Sequence, residues 1–253
     1  MAWLGRMGGS AIAGLGAIVS LILALSGVQP ASAEQRKLLV ASFENIQVIG
    51  DIDVAVQTGK SPSALAIGDK RVLDSLKLDR IGTTLRVRLQ DIVNNNKGVA
   101  MSQPLKVILS TQAMKDMTVS GNGTLSITQV RQPSAVRLLV AGNGSISVGQ
   151  LNTDRFAANI DGNGRISIDR GAARDGRVTI NGAGIFEGAD VPMRTLRLEH
   201  IGNAVSRANV SEEANIFNRG SGRIEIGGSG TCFIKQAGTA AIDCAKVNKD
   251  TRK

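Results

Sequence analysis

Tyrosine is absent from this chain, tryptophan occurs once, as Trp3, and histidine once, as His200. Outside the N-terminal stretch that carries Trp3, the aromatic residues are Phe43, Phe156, Phe186, Phe217 and Phe233. Recognition of sugars or bases by stacking relies on aromatic platforms, so a lectin-like or nucleic-acid-binding role lacks its usual support. With one histidine, every Ser-His-Asp, Cys-His or multi-histidine metal site would have to run through His200. Only two cysteines are present, Cys232 and Cys244. No histidine neighbours them, which argues against a metal site. In an oxidising exported compartment an even count reads as a bridge, worth roughly 3 kcal/mol for so short a loop; two free core thiols are the alternative.

The first 33 residues have the three-part layout of a secretory signal. Arg6 is their one charge, an apolar, glycine-spaced run from Ala11 to Leu25 follows, and Pro30-Ala31-Ser32-Ala33 offers small residues where a signal peptidase reads. Cleavage is expected after Ala33, and no cysteine there would take a lipid. The competing reading is an uncleaved anchor, since Gly8 to Val28 is just long enough to span a bilayer, although Gly27 and Pro30 break that helix. The remainder keeps 29 basic and 21 acidic residues, a formal charge of +8. That excess favours acidic partners such as anionic polymers or a lipid surface, and is also compatible with a soluble protein that is simply basic.

What the sequence has in abundance is a repeat. Ser120-Gly-Asn-Gly-Thr-Leu-Ser-Ile127, Ala141-Gly-Asn-Gly-Ser-Ile-Ser-Val148 and Asp161-Gly-Asn-Gly-Arg-Ile-Ser-Ile168 are three copies of one segment. Asn181 to Gly188, Ile201 to Ala208 and Arg219 to Ile226 are degenerate copies. The first glycines fall at 121, 142, 162, 182, 202 and 220, steps of 21, 20, 20, 20 and 18. A step this regular predicts stacked turns. Around each Gly-x-Gly the apolar residues alternate with period two, which is the strand signal, and the glycines supply positive φ at the corner between strands. Six turns at a strand spacing of about 4.8 Å predict a section roughly 30 Å long.

Aligning the turns gives columns. Two residues before the first glycine stand Val119, Val140, Ile160, Ile180, His200 and Asn218. Four after it stand Leu125, Ile146, Ile166, Phe186, Ser206 and Ile224; six after, Ile127, Val148, Ile168, Gly188, Ala208 and Ile226. These columns are expected to face inward. Between the glycines, Asn122, Asn143, Asn163, Ala183, Asn203 and Ser221 would place amides where they can hydrogen-bond along the axis. Ahead of the repeat, Phe43 to Leu89 alternates without a Gly-x-Gly period and reads as a less regular cap with the first turns, with an exposed loop at 94–98. The expected organisation is a signal over 1–33, one all-β solenoid domain over 34–245 and a frayed basic tail over 246–253.

The opening Phe43-Glu-Asn-Ile-Gln-Val-Ile-Gly-Asp-Ile-Asp-Val-Ala-Val-Gln57 and the recurrent Gly-Asn-Gly or Gly-Ser-Gly corners resemble the putative auto-transporter adhesin head GIN domain family. The likeness covers about residues 43 to 244. It implies an exported bacterial single domain folded as a right-handed single-stranded parallel β-helix. The motif is structural, so no catalytic residue is carried over. This chain departs from the pattern in turn five, where Ala204 replaces the second glycine, and the corner geometry is in question there.

His200, inward beside Asn218 on the next turn, is expected to form a buried hydrogen-bonded pair with it. Polysaccharide-cleaving β-helices gather carboxylates on one face. Here Asp154 aligns with Arg174 and Arg194, and Arg155 with Asp175, which reads as cross-turn charge pairing. Calcium-binding glycine repeats and phosphate loops do not fit: the nonapeptide step is missing and each Gly-x-Gly leads into a strand. The expectation is therefore no catalytic residue, no metal and no cofactor. A basic outer stripe remains: Arg137, Arg177 and Arg197 share one column, and Arg174 with Arg194 lie three positions earlier. Together they would present guanidinium groups to an anionic envelope polymer, surface protein or lipid phosphate, unless they form only a solvated face. The reading is a non-enzymatic exported protein, periplasmic or at the cell surface, with no membrane span after cleavage. A polysaccharide-active enzyme and a purely structural or accessory protein are the rivals.

Overall fold

Strands that alternate apolar and polar residues bury one face each, and a chain of them with corner glycines can cover its own core only by coiling. The computed structural model describes residues 34–90 and 105–248. The expected signal over 1–33, the expected loop at 94–98 and residues 249–253 lie outside the described residues. In chain order β1 (Glu34–Leu38) is followed by β2 (Asn45–Ile49) and β3 (Asp53–Thr58), whose inward Ile46, Val48, Ile52, Val54 and Val56 are buried. Then come β4 (Ser63–Gly68), one short helix α1 (Lys70–Ser75), the hairpin β5 (Leu76–Ile81) and β6 (Thr84–Leu89), and β7 (Lys106–Thr111). The repeat supplies β8 (Asp116–Gly121), β9 (Thr124–Ile127), β10 (Val130–Gly142), β11 (Ser145–Val148), β12 (Leu151–Gly162) and β13 (Arg165–Ile168). It continues through β14 (Gly171–Gly182), β15 (Ile185–Ile201), β16 (Asn203–Asn218), β17 (Ser221–Gln236) and β18 (Ala241–Asn248). The result is a β-solenoid of about six turns with about 20 residues per turn.

Pairing along the repeat is parallel and in the register that the columns predict. Val140 lies opposite Val119 and Ile160, Ile160 opposite Ile180, Ile180 opposite His200 and His200 opposite Asn218. All six are buried, as are Leu125, Ile146, Ile166, Phe186, Ser206 and Ile224 in the second inward column. The rings of Phe156 and Phe186 stack with centroids 6.2 Å apart. A Cβ on Gly176 would come within 3.0 Å of the Phe156 ring and one on Gly188 within 2.8 Å of the Phe186 ring. Glycine in those inward positions makes the room that the two rings fill.

The corner explains the first glycine of each turn. Gly162 has φ +120, and its missing Cβ would stand 2.5 Å from the Gly142 carbonyl oxygen. That oxygen accepts the N–H of Asn163 at 3.0 Å, and the same bond recurs from Asn143 to Gly121 and from Ala183 to Gly162. Any side chain there would wedge two hydrogen-bonded turns apart. The amide ladder is present over three turns: Asn143 Nδ2 donates to Asn122 Oδ1 at 3.1 Å and Asn163 Nδ2 to Asn143 Oδ1 at 3.0 Å, until Ala183 ends it. In turn five Gly202 keeps φ +103 and Ala204 is accommodated fully buried. The second strand starts at Asn203, directly after the corner, whereas earlier turns resume at Thr124, Ser145 and Arg165.

The N-terminal part is less sequential than an irregular first turn. Strands β2 and β3 lie directly on β8 and β9, with Val48 opposite Val119 and Val54 opposite Leu125. The segment between them is looped out to build the layer beyond: β6 pairs parallel with β2 and β7 with β3. Antiparallel β5 then covers β6, β4 covers β7, and β1 covers β4. Parallel stacking leaves unpaired strand edges at each end, and this end is closed by reversing strand direction. Helix α1, which the alternation did not predict, is a single turn capped by Asp69, whose side chain accepts the Arg71 N–H at 3.0 Å. At the other end Cys232 and Cys244 form the expected bridge. The expected tail boundary at 245 shifts: Lys246 to Asn248 continue β18, paired with Thr231 to Phe233, because the β17 edge offers them ladder partners.

Candidate ligand-binding face

On the strand that precedes each corner glycine, the positions five and three before it alternate with the buried residues and face outward. The first of these columns runs Arg137, Ala157, Arg177, Arg197, Asn215 and Phe233, each opposite the next. The three arginines thus share a column, with Ala157 interrupting it. Arg137 is not a free charge, since its guanidinium donates to Asp116 Oδ2 at 2.9 Å, a bond that raises its pKa. Arg174 and Arg194 sit on the bend ahead of this column and are also engaged, Arg174 with Asp175 at 3.1 Å and Arg194 with Glu212 at 3.6 Å. Arg177 has no carboxylate within reach among the described residues. Arg197 lies over the ring of Phe217, its guanidinium carbon 4.5 Å from the centroid.

The second outward column holds Thr179, Glu199, Phe217 and Lys235, again opposite one another. Between the columns lies a cleft of about 290 Å³ lined by Arg197, Glu199, Phe217, Arg219 and Lys235. Arg219 donates to Glu199 Oε1 at 2.7 Å, and Lys235 has no carboxylate partner among the described residues. Arg219, Lys235 and the outward Phe217 were not among the expected site residues. The signal was available in the column three before the glycine, where an aromatic residue stands beside a cation on each neighbouring column.

The expected cross-turn pairing of Arg155 with Asp175 is a register contact only. Asp175 accepts the Thr195 hydroxyl at 2.9 Å and the Arg174 guanidinium at 3.1 Å, which together hold its carboxyl below the usual carboxylate range, the hydroxyl contributing most. On the strand after the corner the carboxylates are bound up in a ladder: Arg207 bridges Glu187 at 2.6 Å and Glu225 at 2.8 Å. A larger hollow of about 360 Å³ beside Arg207, Glu225 and Asp243 therefore has its one guanidinium already neutralised. Among the described residues no group of three or more histidine, cysteine or acidic side chains is placed to hold a metal ion.

His200 corrects one expectation. It and Asn218 are fully buried and opposite each other, yet they do not bond. His200 Nε2 lies 2.7 Å from the Ser221 carbonyl oxygen and Asn218 Oδ1 accepts the Gly220 N–H at 3.0 Å. Each side chain has been claimed by corner backbone, where turn five lacks the second glycine and turn six carries its positive φ at Gly222, the second glycine of its corner. His200 Nδ1, Asn218 Nδ2 and Ser206 Oγ are left without partners among the described residues.

A model of the family described as putative auto-transporter adhesin, head GIN domain, matches residues 42–230. Among solved structures the chain is similar to a putative adhesin from Bacteroides fragilis, with TM-score 0.70, 15% identity, and coverage of 86% of this chain and 96% of that one. A putative lipid binding protein from Parabacteroides distasonis gives TM-score 0.63 at 18% identity, covering 84% and 96%. A putative adhesin from Parabacteroides merdae gives 0.63 at 17%, covering 84% and 95%. At these identities the likeness concerns the fold. No curated protein matches significantly.

Proposed function

The chain belongs to the putative auto-transporter adhesin, head GIN domain family, and we propose from that premise that it is an exported, non-enzymatic envelope protein that binds an anionic surface component through the face carrying Arg177 and Arg197. The observation that carries this reading is the pair of guanidinium groups on neighbouring turns of that face, neither matched by a carboxylate among the described residues. An arginine fork left without an internal partner retains its donors for carboxylate, sulfate or phosphate oxygens. Ordered stacking of the turns holds those donors at a constant spacing, which suits display better than chemistry. Two carboxylates that a polysaccharide-cleaving site could use, Glu187 and Glu225, are instead tied to Arg207. Export agrees with the signal-like first 33 residues and with a disulfide, which persists in oxidising compartments.

The test is binding of the purified exported protein to acidic and neutral envelope polysaccharides, lipopolysaccharide, anionic vesicles and matrix proteins at low and high salt, with product analysis on the same samples. Saturable binding to anionic members that weakens with salt and leaves the polymer intact is the expected result. Cleaved polymer would replace this reading with an enzyme, and absence of binding throughout would replace it with a structural spacer.

A further inference from the structure

We infer that the cleft lined by Arg197, Phe217, Arg219 and Lys235, together with Arg177 on the turn before it, is a track for an extended acidic polysaccharide, with anionic groups of successive sugars seated on successive turns; this rests on the proposed anion-binding reading and assigns its ligand class. The cations lie on successive turns but in different columns, so they run obliquely across the face. Arg177 and Arg197 are opposite each other on adjacent turns, Phe217 with Arg219 belongs to the next, and Lys235, opposite Phe217, to the one after. Four consecutive turns thus supply one cation each, at a strand spacing of about 4.8 Å. A single phosphate could not meet cations spread over that length, whereas a linear polymer with one acidic group per ring presents its charges in the same way.

Charge and order along the track favour such a guest. Glu199 holds Arg219 and cancels one positive charge, while Arg177, Arg197 and Lys235 remain uncompensated among the described residues. The negative face of the Phe217 ring attracts the Arg197 guanidinium and holds it in place, so the arginine loses less side-chain freedom on binding than an unsupported one. Phe217 is therefore a positioning residue and not a platform for a sugar, since Arg197 already covers its ring. A bilayer surface would call for apolar side chains flanking the cations. The flanking positions are instead Thr179, Glu199 and Asn215, and Phe233 alone is an exposed large apolar residue in these two columns between Arg177 and Lys235.

The experiment measures affinity of the full exported protein for size-defined oligomers of a uronic acid, with a sulfated glycan, inorganic phosphate and anionic vesicles as separate arms. Affinity is expected to rise with oligomer length and to level off once the four turns are spanned, with inorganic phosphate a poor competitor. The triple variant Arg177→Gln, Arg197→Gln, Lys235→Gln is expected to bind at least tenfold more weakly and to show a shallower salt dependence. A charge-matched triple, Arg131→Gln, Arg165→Gln, Arg223→Gln, removes the same charge elsewhere and is expected to bind as the parent does. Phe217→Leu keeps every cation and is expected to lose severalfold in affinity with its salt slope and melting midpoint unchanged. Preference for the sulfated glycan over the uronate keeps the track and changes the acidic group. Equal loss in both triple variants, or tighter binding to vesicles than to any oligomer, overturns the track while leaving general anion binding standing; no anion binding at all overturns both.

Discussion

Replacing Gly162 by alanine is expected to destabilise the solenoid on the order of 3 kcal/mol, from two separable terms. The residue sits at φ +120, a conformation that costs an L-residue about 1–3 kcal/mol. Its new Cβ would also stand 2.5 Å from the Gly142 carbonyl oxygen, where ordinary contact begins at 3.4 Å, so the two turns must part by about 0.9 Å. The bond from Asn163 N–H to that oxygen is then stretched, for about 1 kcal/mol more. The informative comparison is Gly184→Ala. There no positive φ is involved, the nearest backbone oxygen is 3.1 Å away, and the close contact at 2.5 Å is to the Ile160 Cγ2 methyl. Turn five already carries Ala204 in the equivalent place, fully buried, so Gly184→Ala is expected to cost about 1–2 kcal/mol, an overpacking term only. Urea unfolding of both variants beside the parent, with m-values compared to confirm that the same surface is exposed, measures the two costs. If Gly162→Ala is no more destabilising than Gly184→Ala, the backbone account of the corner is wrong.

Three further outcomes are expected. Reduction of the Cys232–Cys244 bridge, which spans 12 residues, should cost about 3 kcal/mol in the chain-entropy view; amide exchange should accelerate first in β18, and uniform acceleration along all turns would contradict local pinning of the last one. Thr195→Val should raise the Asp175 pKa, followed by carboxyl NMR titration. In the parent that carboxyl titrates below its ordinary value, so its contribution to stability is fully present above the ordinary carboxylate range and is lost as pH falls through the lowered folded-state value. An unmoved titration would show that the hydroxyl is not the main cause. Ser206→Ala should be neutral or stabilising by about 1 kcal/mol, because it removes a buried hydroxyl without a partner among the described residues; a clear loss in thermal or urea unfolding would mean that Ser206 Oγ is satisfied in solution.

The residues whose roles depend on their own turn were readable in advance. Val119, Val140, Ile160 and Ile180 face inward because alternation around a glycine corner leaves no other way to bury them, and Asn122, Asn143 and Asn163 form a ladder because a 20-residue step superimposes them. His200 fell in the right column, but its hydrogen bond did not, since which backbone group reaches Nε2 depends on the altered corner at Ser221. The outer stripe shows the same division. Arg177 and Arg197 stack as their spacing required, whereas Arg174 was claimed by its chain neighbour Asp175, and Arg194 by Glu212 where the register shifts between Met193 and Thr195.

The sequence by itself determined the repeat, the inward columns, the corner glycines and the pair of cysteines, all of which follow from short-range periodicity and the steric limits of one turn. Only the tertiary structure decided that β2 and β3 lie on β8 and β9 with β4 to β7 looped out as a cap whose β4 and β5 reverse direction, because those pairings join segments some 70 residues apart and no local pattern marks them. It also decided which cations stay free. A long side chain on a solenoid finds its partner across turns, so the charge left over on Arg177, Arg197 and Lys235 is a property of the stacked surface and of no single turn.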